Sequence, residues 1–163
     1  MDRGFEKISF KQFKKDICDD KKIYDEYQLP KRGSKNSCGY DFISICDIVI
    51  HPGEILKIPT GYKAKFREDE FLMLVIRSSM GFKYNVRMCN QVGIIDSDYY
   101  NIKDNEGHIW VSLQNEGNED CIIKKGSAYV QGIFIKYLTC GDDVVDTRIG
   151  GFGSTNGKED NNG

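Results

Sequence analysis

The residues that could do chemistry in this chain of 163 residues stand in short polar motifs rather than in one cluster. One motif runs from Asn90 to Tyr99 and contains Gly93 and Asp96. We interpret it as a β-hairpin whose backbone groups read the edge of a planar base, with a glycine that lets the base approach closely. An aspartate can orient a water molecule and accept its proton, and a tyrosine offers a flat face to a sugar. Taken alone, however, the segment is more typical of a β-turn rich in Asp and Asn.

Two shorter motifs could hold phosphate or a metal. Arg77, Ser78 and Ser79 follow an apolar run, so they are expected at a strand end, where hydroxyl and N–H groups can surround phosphate oxygens. A polar turn whose arginine makes a surface ion pair explains this motif equally well. Asp41 begins another predicted strand, where an aspartate often only hydrogen-bonds to nearby backbone.

A glycine-rich motif lies close to the C-terminus, between residues 150 and 155. Backbone N–H groups flanked by glycines, such as that of Gly153, form an anion-binding nest. Ser154 and Thr155 add hydroxyls, and Phe152 could stack on a base. The motif is not a P-loop, because the lysine of that motif is missing. The segment has few apolar residues, which predicts either a disordered tail or a tail that becomes ordered on a ligand.

The elements that position these motifs are predicted to be strands. Residues 71–76 are an unbroken apolar run, typical of a strand buried on both faces. Residues 109–113 alternate between apolar and polar, as in a half-buried strand, and residues 130–135 form another strand. A type II turn is predicted at residues 51–54. Many short strands with Gly and Asn turns indicate an all-β sandwich or barrel.

The sequence predicts one domain with three parts: an N-terminal extension over 1–35, a β core over 36–140 and a flexible tail over 141–163. Ser9 is expected to cap a helix that ends near residues 19–22. The apolar face of this helix would carry Phe10, Phe13 and Ile17.

Composition excludes several classes of function. A net charge of −2 argues against general nucleic-acid binding, which needs a basic surface. No apolar run reaches the roughly 20 residues of a membrane span, and no signal peptide is recognisable, so we expect a cytoplasmic protein. The six cysteines form no C-x-x-C pair and are expected to be reduced thiols, several of them buried, without a bound metal. His51 and His108 are expected in surface positions or turns.

In their order along the chain, these motifs resemble the five motifs of the trimeric dUTP diphosphatases (dUTPases), over about residues 36–157. The resemblance implies a distorted jelly-roll fold and hydrolysis of dUTP to dUMP and diphosphate. It further implies Mg²⁺ as cofactor, in-line attack of water on the α-phosphorus, and a homotrimer with shared active sites. No nucleic acid or membrane partner is expected.

The resemblance also assigns roles to residues. Asp96 would activate the water, and Asp41 would hold Mg²⁺ through water. Asn90 and Gly93 would contact uracil, and Tyr99 would stack on deoxyribose and exclude a 2′-hydroxyl. Phe152 would stack on the base. The residues assigned to phosphate are Arg77, Ser78, Ser79, Gln131, Arg148, Gly153, Ser154 and Thr155.

Three departures from the family pattern and two rival functions accompany this interpretation. The fourth motif usually has an arginine where Ser127 or its neighbour stands. The stretch 100–107 resembles a lengthened loop, and Arg148 stands closer to the glycine motif than is common in the family. A dCTP deaminase shares the fold and an Arg-Ser-Ser motif, but it lacks the tyrosine-bearing hairpin and this form of the tail. A regulatory binding protein that keeps the fold and acts through a partner is the second alternative.

Overall fold

The computed structural model describes residues 3–141 of the chain, and within that range most of the regular structure is β-strand. The strands are β1 (Gly4–Lys7), β2 (Lys31–Arg32), β3 (Tyr40–Ile43), β4 (Ile48–Ile50), β5 (Ile55–Pro59), β6 (Tyr62–Lys65), β7 (Glu70–Ile76), β8 (Val86–Met88), β9 (Gly93–Asp96), β10 (Trp110–Asn115), β11 (Cys121–Ile123) and β12 (Ala128–Lys136). The helices are α1 (Phe10–Asp16), α2 (Lys21–Glu26) and α3 (Ser78–Tyr84), with a short 3-10 helix at Ser97–Tyr99.

The strands pair into an antiparallel jelly-roll type of fold. The largest sheet has the order β2-β3-β12-β7-β9, and a second sheet has the order β5-β10-β8. Two-stranded ladders join β1 to β6 and β11 to β4. The strands predicted at 71–76, 109–113 and 130–135 are β7, β10 and β12, so the all-β prediction is confirmed.

One strand prediction needs correction. β7 is not buried on both faces, because Leu72 and Leu74 are fully buried whereas Phe71 and Met73 are only half-buried. The inner face packs into a core with Phe42 and the other buried apolar side chains.

The N-terminal extension is more structured than the sequence suggested. Ser9 caps α1, as predicted, and its hydroxyl accepts a hydrogen bond from the N–H of Gln12 at 3.1 Å. The helix ends at Asp16, however, and Asp20 caps a second helix, α2. Asp20 therefore starts a helix rather than ending one, because its carboxylate accepts two backbone N–H bonds. β1 adds a strand that the sequence did not predict.

The turn and the thiols show one confirmation and one correction. Gly53 has a φ of 78°, as its place in the predicted type II turn requires. The cysteines are free thiols, but Cys121 is the only buried one among the residues from 3 to 141, so the prediction that several cysteines are buried was wrong.

Among residues 3–141, no three metal-ligating side chains come together, and no helix is long and apolar enough to cross a membrane.

Candidate active site

Three of the residues with predicted chemical roles meet where the ends of three strands lie side by side. Gln131 on β12 stands opposite Asp41 on one side and Val75 on the other. Arg77 follows β7 directly, and its guanidinium lies 3.2 Å from the Asp41 carboxylate. Both side chains keep some exposure, 38% for Arg77 and 20% for Asp41. We name Asp41, Arg77 and Gln131 the sheet-end cluster.

A glycine makes room for this cluster. A side chain on Gly39 would bring its Cβ within 2.2 Å of the Oε1 atom of Gln131. The amide of Gln131 therefore packs directly against the backbone just before β3. A larger residue at position 39 would require the Gln131 amide to move, which the sequence motif around Asp41 alone did not reveal.

Ser78 and Ser79 lie beside the cluster but in a different element from the one expected. They form the first turn of α3, with Arg77 as its N-terminal flanking residue, rather than a plain strand end. Both serines are exposed, so their hydroxyls and the arginine can be reached from solvent on the same side.

Asn90 and Gly93 line an open cleft with a volume of about 630 Å³. Its other walls come from α1, from the β5-β10-β8 sheet and from the loop before β10. Polar and aromatic side chains from these walls are Gln12, Asp16, Lys57, Asn105, Trp110 and Ser112. The cleft combines apolar walls with a few polar groups, as small-molecule sites do.

The segment between Asn90 and Tyr99 is not a paired hairpin. β8 pairs with β10, whereas β9 pairs with β7, so the two strands on either side of Asn90 belong to different sheets. A tight turn at residues 90–92 joins them, with Gln91 in the left-handed region at a φ of 62°. Packing also favours glycine at position 93, because a Cβ there would lie 3.1 Å from the Cβ of Leu74.

Asp96 ends β9 and is exposed to solvent. Three residues earlier on the same strand, Gly93 faces inward and contributes to the cleft wall. A single strand therefore carries both a residue of the cleft and an accessible carboxylate.

Tyr99 is buried more deeply than a sugar-contacting ring would suggest, with only 4% of its surface exposed. Its hydroxyl donates a hydrogen bond to the carbonyl of His108 at 3.0 Å and accepts one from the Asn105 amide at 2.8 Å. The ring is thus held in the core by a polar network at its outer end.

Sequence reasoning missed the residues of this network. His108 was predicted at the surface or in a turn, yet its side chain is fully buried, and its ring contacts the Asp16 carboxylate at 2.6 Å. Burial lowers the pKa of His108 below its ordinary value, against the opposing effect of Asp16. A polar side chain beside the apolar start of β10 was the only signal, and it does not distinguish a buried position from an exposed one.

Not all of the predicted site residues come together within one chain. Asp96 stands opposite Phe71 in the ladder, and Arg77 comes six positions after Phe71 in the sequence. At roughly 3.3 Å per residue, the backbone position opposite Asp96 is separated along β7 by about 20 Å from Arg77 and by about 13 Å from Val75, which is level with Gln131 and Asp41. The structure therefore forms two polar centres in the chain, one at each end of this strand.

Five further predicted site residues lie outside the described part of the chain. They are Arg148, Phe152, Gly153, Ser154 and Thr155.

Comparisons with known proteins identify the family of this chain. A family model described as dUTPase matches residues 25–156. A deoxyuridine 5'-triphosphate nucleotidohydrolase of Lactococcus lactis is 42% identical over 130 residues, which are 78% of this chain and 87% of the relative. One of Hahella chejuensis is 33% identical over 148 residues, covering 85% and 93%. The crystal structure of dUTPase from Streptococcus mutans superposes with a TM-score of 0.68 at 35% identity, covering 84% of this chain and 98% of that one.

Proposed function

The chain belongs to the dUTPase family, and on that premise we propose that it hydrolyses dUTP to dUMP and diphosphate. The observation that carries this proposal is the layout of β9. Gly93 lines the cleft and Asp96 is exposed three residues later on the same strand. β9 would therefore contact the nucleobase at its start and carry the water-activating carboxylate at its end.

The base would be recognised in the cleft by Asn90 and by the backbone around Gly93. The amide of Asn90 has both donors and acceptors, and these match the alternating carbonyl and N–H groups along the edge of uracil. Tyr99 would pack beneath deoxyribose and leave no room for a 2′-hydroxyl. Its fixed hydroxyl supports this role, because a ring that cannot swing aside can exclude an extra atom.

Asp96 would act as the general base. Its carboxylate would hold a water molecule in line with the bond between the α-phosphorus and the leaving oxygen, and would accept the proton as the water attacks. The P–O bond to the β-phosphate breaks as the new bond forms, and the electron pair leaves with diphosphate. The exposure of Asp96 supports this role, since the water and the phosphate must both reach the carboxylate.

The sheet-end cluster, together with Ser78 and Ser79, would bind the phosphates. The Arg77 guanidinium and the serine hydroxyls are donors suited to phosphate oxygens, and the Gln131 amide adds another. From the C-terminal segment, Arg148, Gly153, Ser154 and Thr155 would add donors at the terminal phosphate, and Phe152 would cover the base. Donors at these positions would stabilise the charge that builds up on the leaving diphosphate.

The residues present also fit a magnesium ion held mainly by the substrate. Mg²⁺ keeps several waters and binds through few protein oxygens when phosphates supply the rest. Asp41 offers a partly exposed carboxylate beside the phosphate-binding residues, with Oδ2 facing Arg77. It would hold the hydrated ion through water, and when bound the ion would neutralise charge on the triphosphate.

A complete site would need more than one subunit, and we propose a homotrimer with shared active sites. The water held by Asp96 attacks the same triphosphate that the sheet-end cluster binds. In one chain these groups are separated along β7 by about 13 to 20 Å, which is more than the distance between an attacked phosphorus and donors bound to the same phosphate group. Asp96 of one subunit would therefore face the sheet-end cluster of another.

The experiment that tests this function measures diphosphate release from dUTP and ammonia release from dCTP. We expect diphosphate from dUTP and no ammonia. The Asp96→Asn variant should lose about 100- to 10,000-fold in kcat, the usual contribution of a general base, while it still binds a non-hydrolysable dUTP analogue. Asp98→Asn, an exposed neighbour, serves as the control and should keep its turnover.

The outcomes separate the rival functions. Ammonia release from dCTP would indicate a deaminase, and nucleotide binding without any turnover would indicate a regulatory binding protein. Turnover of Asp96→Asn within a few-fold of the unmodified chain would remove Asp96 from its proposed role.

A further inference from the structure

The loop over residues 100–108, which follows Tyr99, has no assigned role in the proposed reaction. It is held in shape by internal hydrogen bonds, including Asn101 N–H to the Glu106 carbonyl at 3.1 Å. Asn101, Glu106 and Gly107 all have left-handed φ values. A loop with such unusual backbone geometry is expected to have a definite structural task.

The hydrogen bonds around Tyr99 define the role of Asn105 in this loop. The Tyr99 hydroxyl has one proton, and its neighbour, the His108 carbonyl, can only accept a hydrogen bond. The hydroxyl must therefore accept from Asn105, whose Nδ2 atom is 2.8 Å away. The Oδ1 atom of the same amide accepts from the Gly107 N–H at 3.0 Å, which fixes the orientation of the amide. The direction of each of these three hydrogen bonds is therefore determined.

The N-terminal extension holds this loop in place through its charged and hydroxyl groups. The Glu106 carboxylate accepts hydrogen bonds from the backbone N–H and the hydroxyl of Ser9, the residue that caps α1. Asp16, at the other end of α1, contacts the His108 ring at 2.6 Å. One short helix thus binds the loop on both sides of Gly107.

Asn105 also lines the cleft that contains Asn90 and Gly93. Its position therefore connects three features: the wall of the cleft, the hydroxyl of Tyr99 and the loop bound to α1. A shift of the loop would move the tyrosine relative to the cleft.

We propose that Asn105 is a positioning residue that sets the place of Tyr99 and thereby the preference for deoxyribonucleotides, with α1 holding the loop that carries it. This inference rests on the proposed function. It assigns to the loop and the N-terminal extension a role in substrate selection.

The test uses the full-length chain and compares kcat/KM for dUTP with kcat/KM for UTP. Asn105→Asp keeps an acceptor for the Gly107 N–H but removes the donor to Tyr99, so it separates positioning from loop structure. We expect the dUTP/UTP ratio to fall by about five-fold or more, the effect of losing one hydrogen bond. Lys103→Ala, an exposed change in the same loop, should leave the ratio unchanged.

A double-mutant cycle shows whether Asn105 acts through the tyrosine. Tyr99→Phe removes the hydroxyl, so adding Asn105→Asp to it should change the ratio no further. An unchanged ratio in Asn105→Asp, or an equal effect in both backgrounds, would overturn the inference. If the unmodified chain hydrolyses dUTP in either of those cases, the proposed function stands and only the role of Asn105 fails.

Discussion

His108 is one of two histidines in the chain, and its environment specifies its neutral form. The ring atom Nε2 accepts a hydrogen bond from the Gly61 N–H at 2.9 Å, so Nδ1 must carry the proton and donate it to Asp16. Protonation of Nε2 would place two N–H groups against each other in a buried site. The carboxylates of Asp16 and Glu106 oppose the effect of burial, but the net shift of the pKa is downward.

This shift predicts how stability depends on pH. A group with a lowered pKa in the folded state contributes stability that is present above its unfolded pKa of about 6.5 and is lost as the pH falls through the folded pKa. The melting temperature should therefore decrease from pH 7.5 towards pH 5. In His108→Gln, the melting temperature should be lower at neutral pH and should change less over the same range.

His51→Gln is the matched control for that measurement. His51 is exposed, and its pKa is raised by a hydrogen bond with Asp120, so its effect has the opposite sign. The decrease in melting temperature towards pH 5 should persist in His51→Gln. A decrease of equal size in His108→Gln would show that other groups cause it.

At the scale of elements, the 100–108 loop depends on a backbone conformation that suits glycine. Gly107 has a φ of 74°, and a Cβ there would come within 2.4 Å of the Tyr99 carbonyl oxygen. Gly126, in the turn before β12, has a similar φ of 83° but no atom within 4 Å of such a Cβ. An alanine would be strained by the positive φ at both positions, but only at residue 107 would its Cβ also clash with backbone.

Comparing alanine at these two sites isolates the contribution of the clash. Gly126→Ala should cost about 1 kcal/mol in the free energy of unfolding, from the left-handed backbone alone. Gly107→Ala should cost distinctly more and should also lower the dUTP/UTP preference, because the loop must move away from Tyr99. Urea unfolding of both variants checks this. Equal costs would mean that the loop adjusts freely around residue 107.

At the scale of the whole molecule, β7 separates the two polar centres. Asp96 lies at one end of the strand and Arg77 at the other, so one chain would hold only parts of a site. The same sheet that buries the core therefore sets how far apart the chemical groups lie. The C-terminal segment carries a third group of predicted phosphate ligands.

Mixing two inactive variants tests the sharing of sites between subunits. One chain is truncated after Asp146 and lacks the glycine-rich motif, and the other carries Asp96→Asn. Each alone should be nearly inactive, but trimers refolded from both should regain part of the activity, because an intact tail can meet an intact Asp96 at some sites. Mass measurement must confirm mixed trimers. No recovery in such trimers would assign the tail to its own subunit's site.

Local features of this protein could be predicted from the order of its residues. The alternation in β10, the cap at Ser9 and the turn at Gly53 depend on neighbouring residues, so their patterns are visible in the chain. The motifs around Asp96 and Arg77 also allowed the family to be recognised from the sequence, because each motif is short and contiguous. Prediction from the sequence was wrong where one local pattern fits two structures. Asp20 is an example, because it begins a helix instead of ending one.

Which of these features meet in space depends on how distant segments pair and pack. Strand order placed Gln131 beside Asp41 and paired that carboxylate with Arg77, whereas the register of β7 and β9 kept Asp96 away. Burial of His108 depends on Asp16, a residue 92 positions earlier. These contacts arise from pairing and packing between distant segments, and no local propensity encodes them.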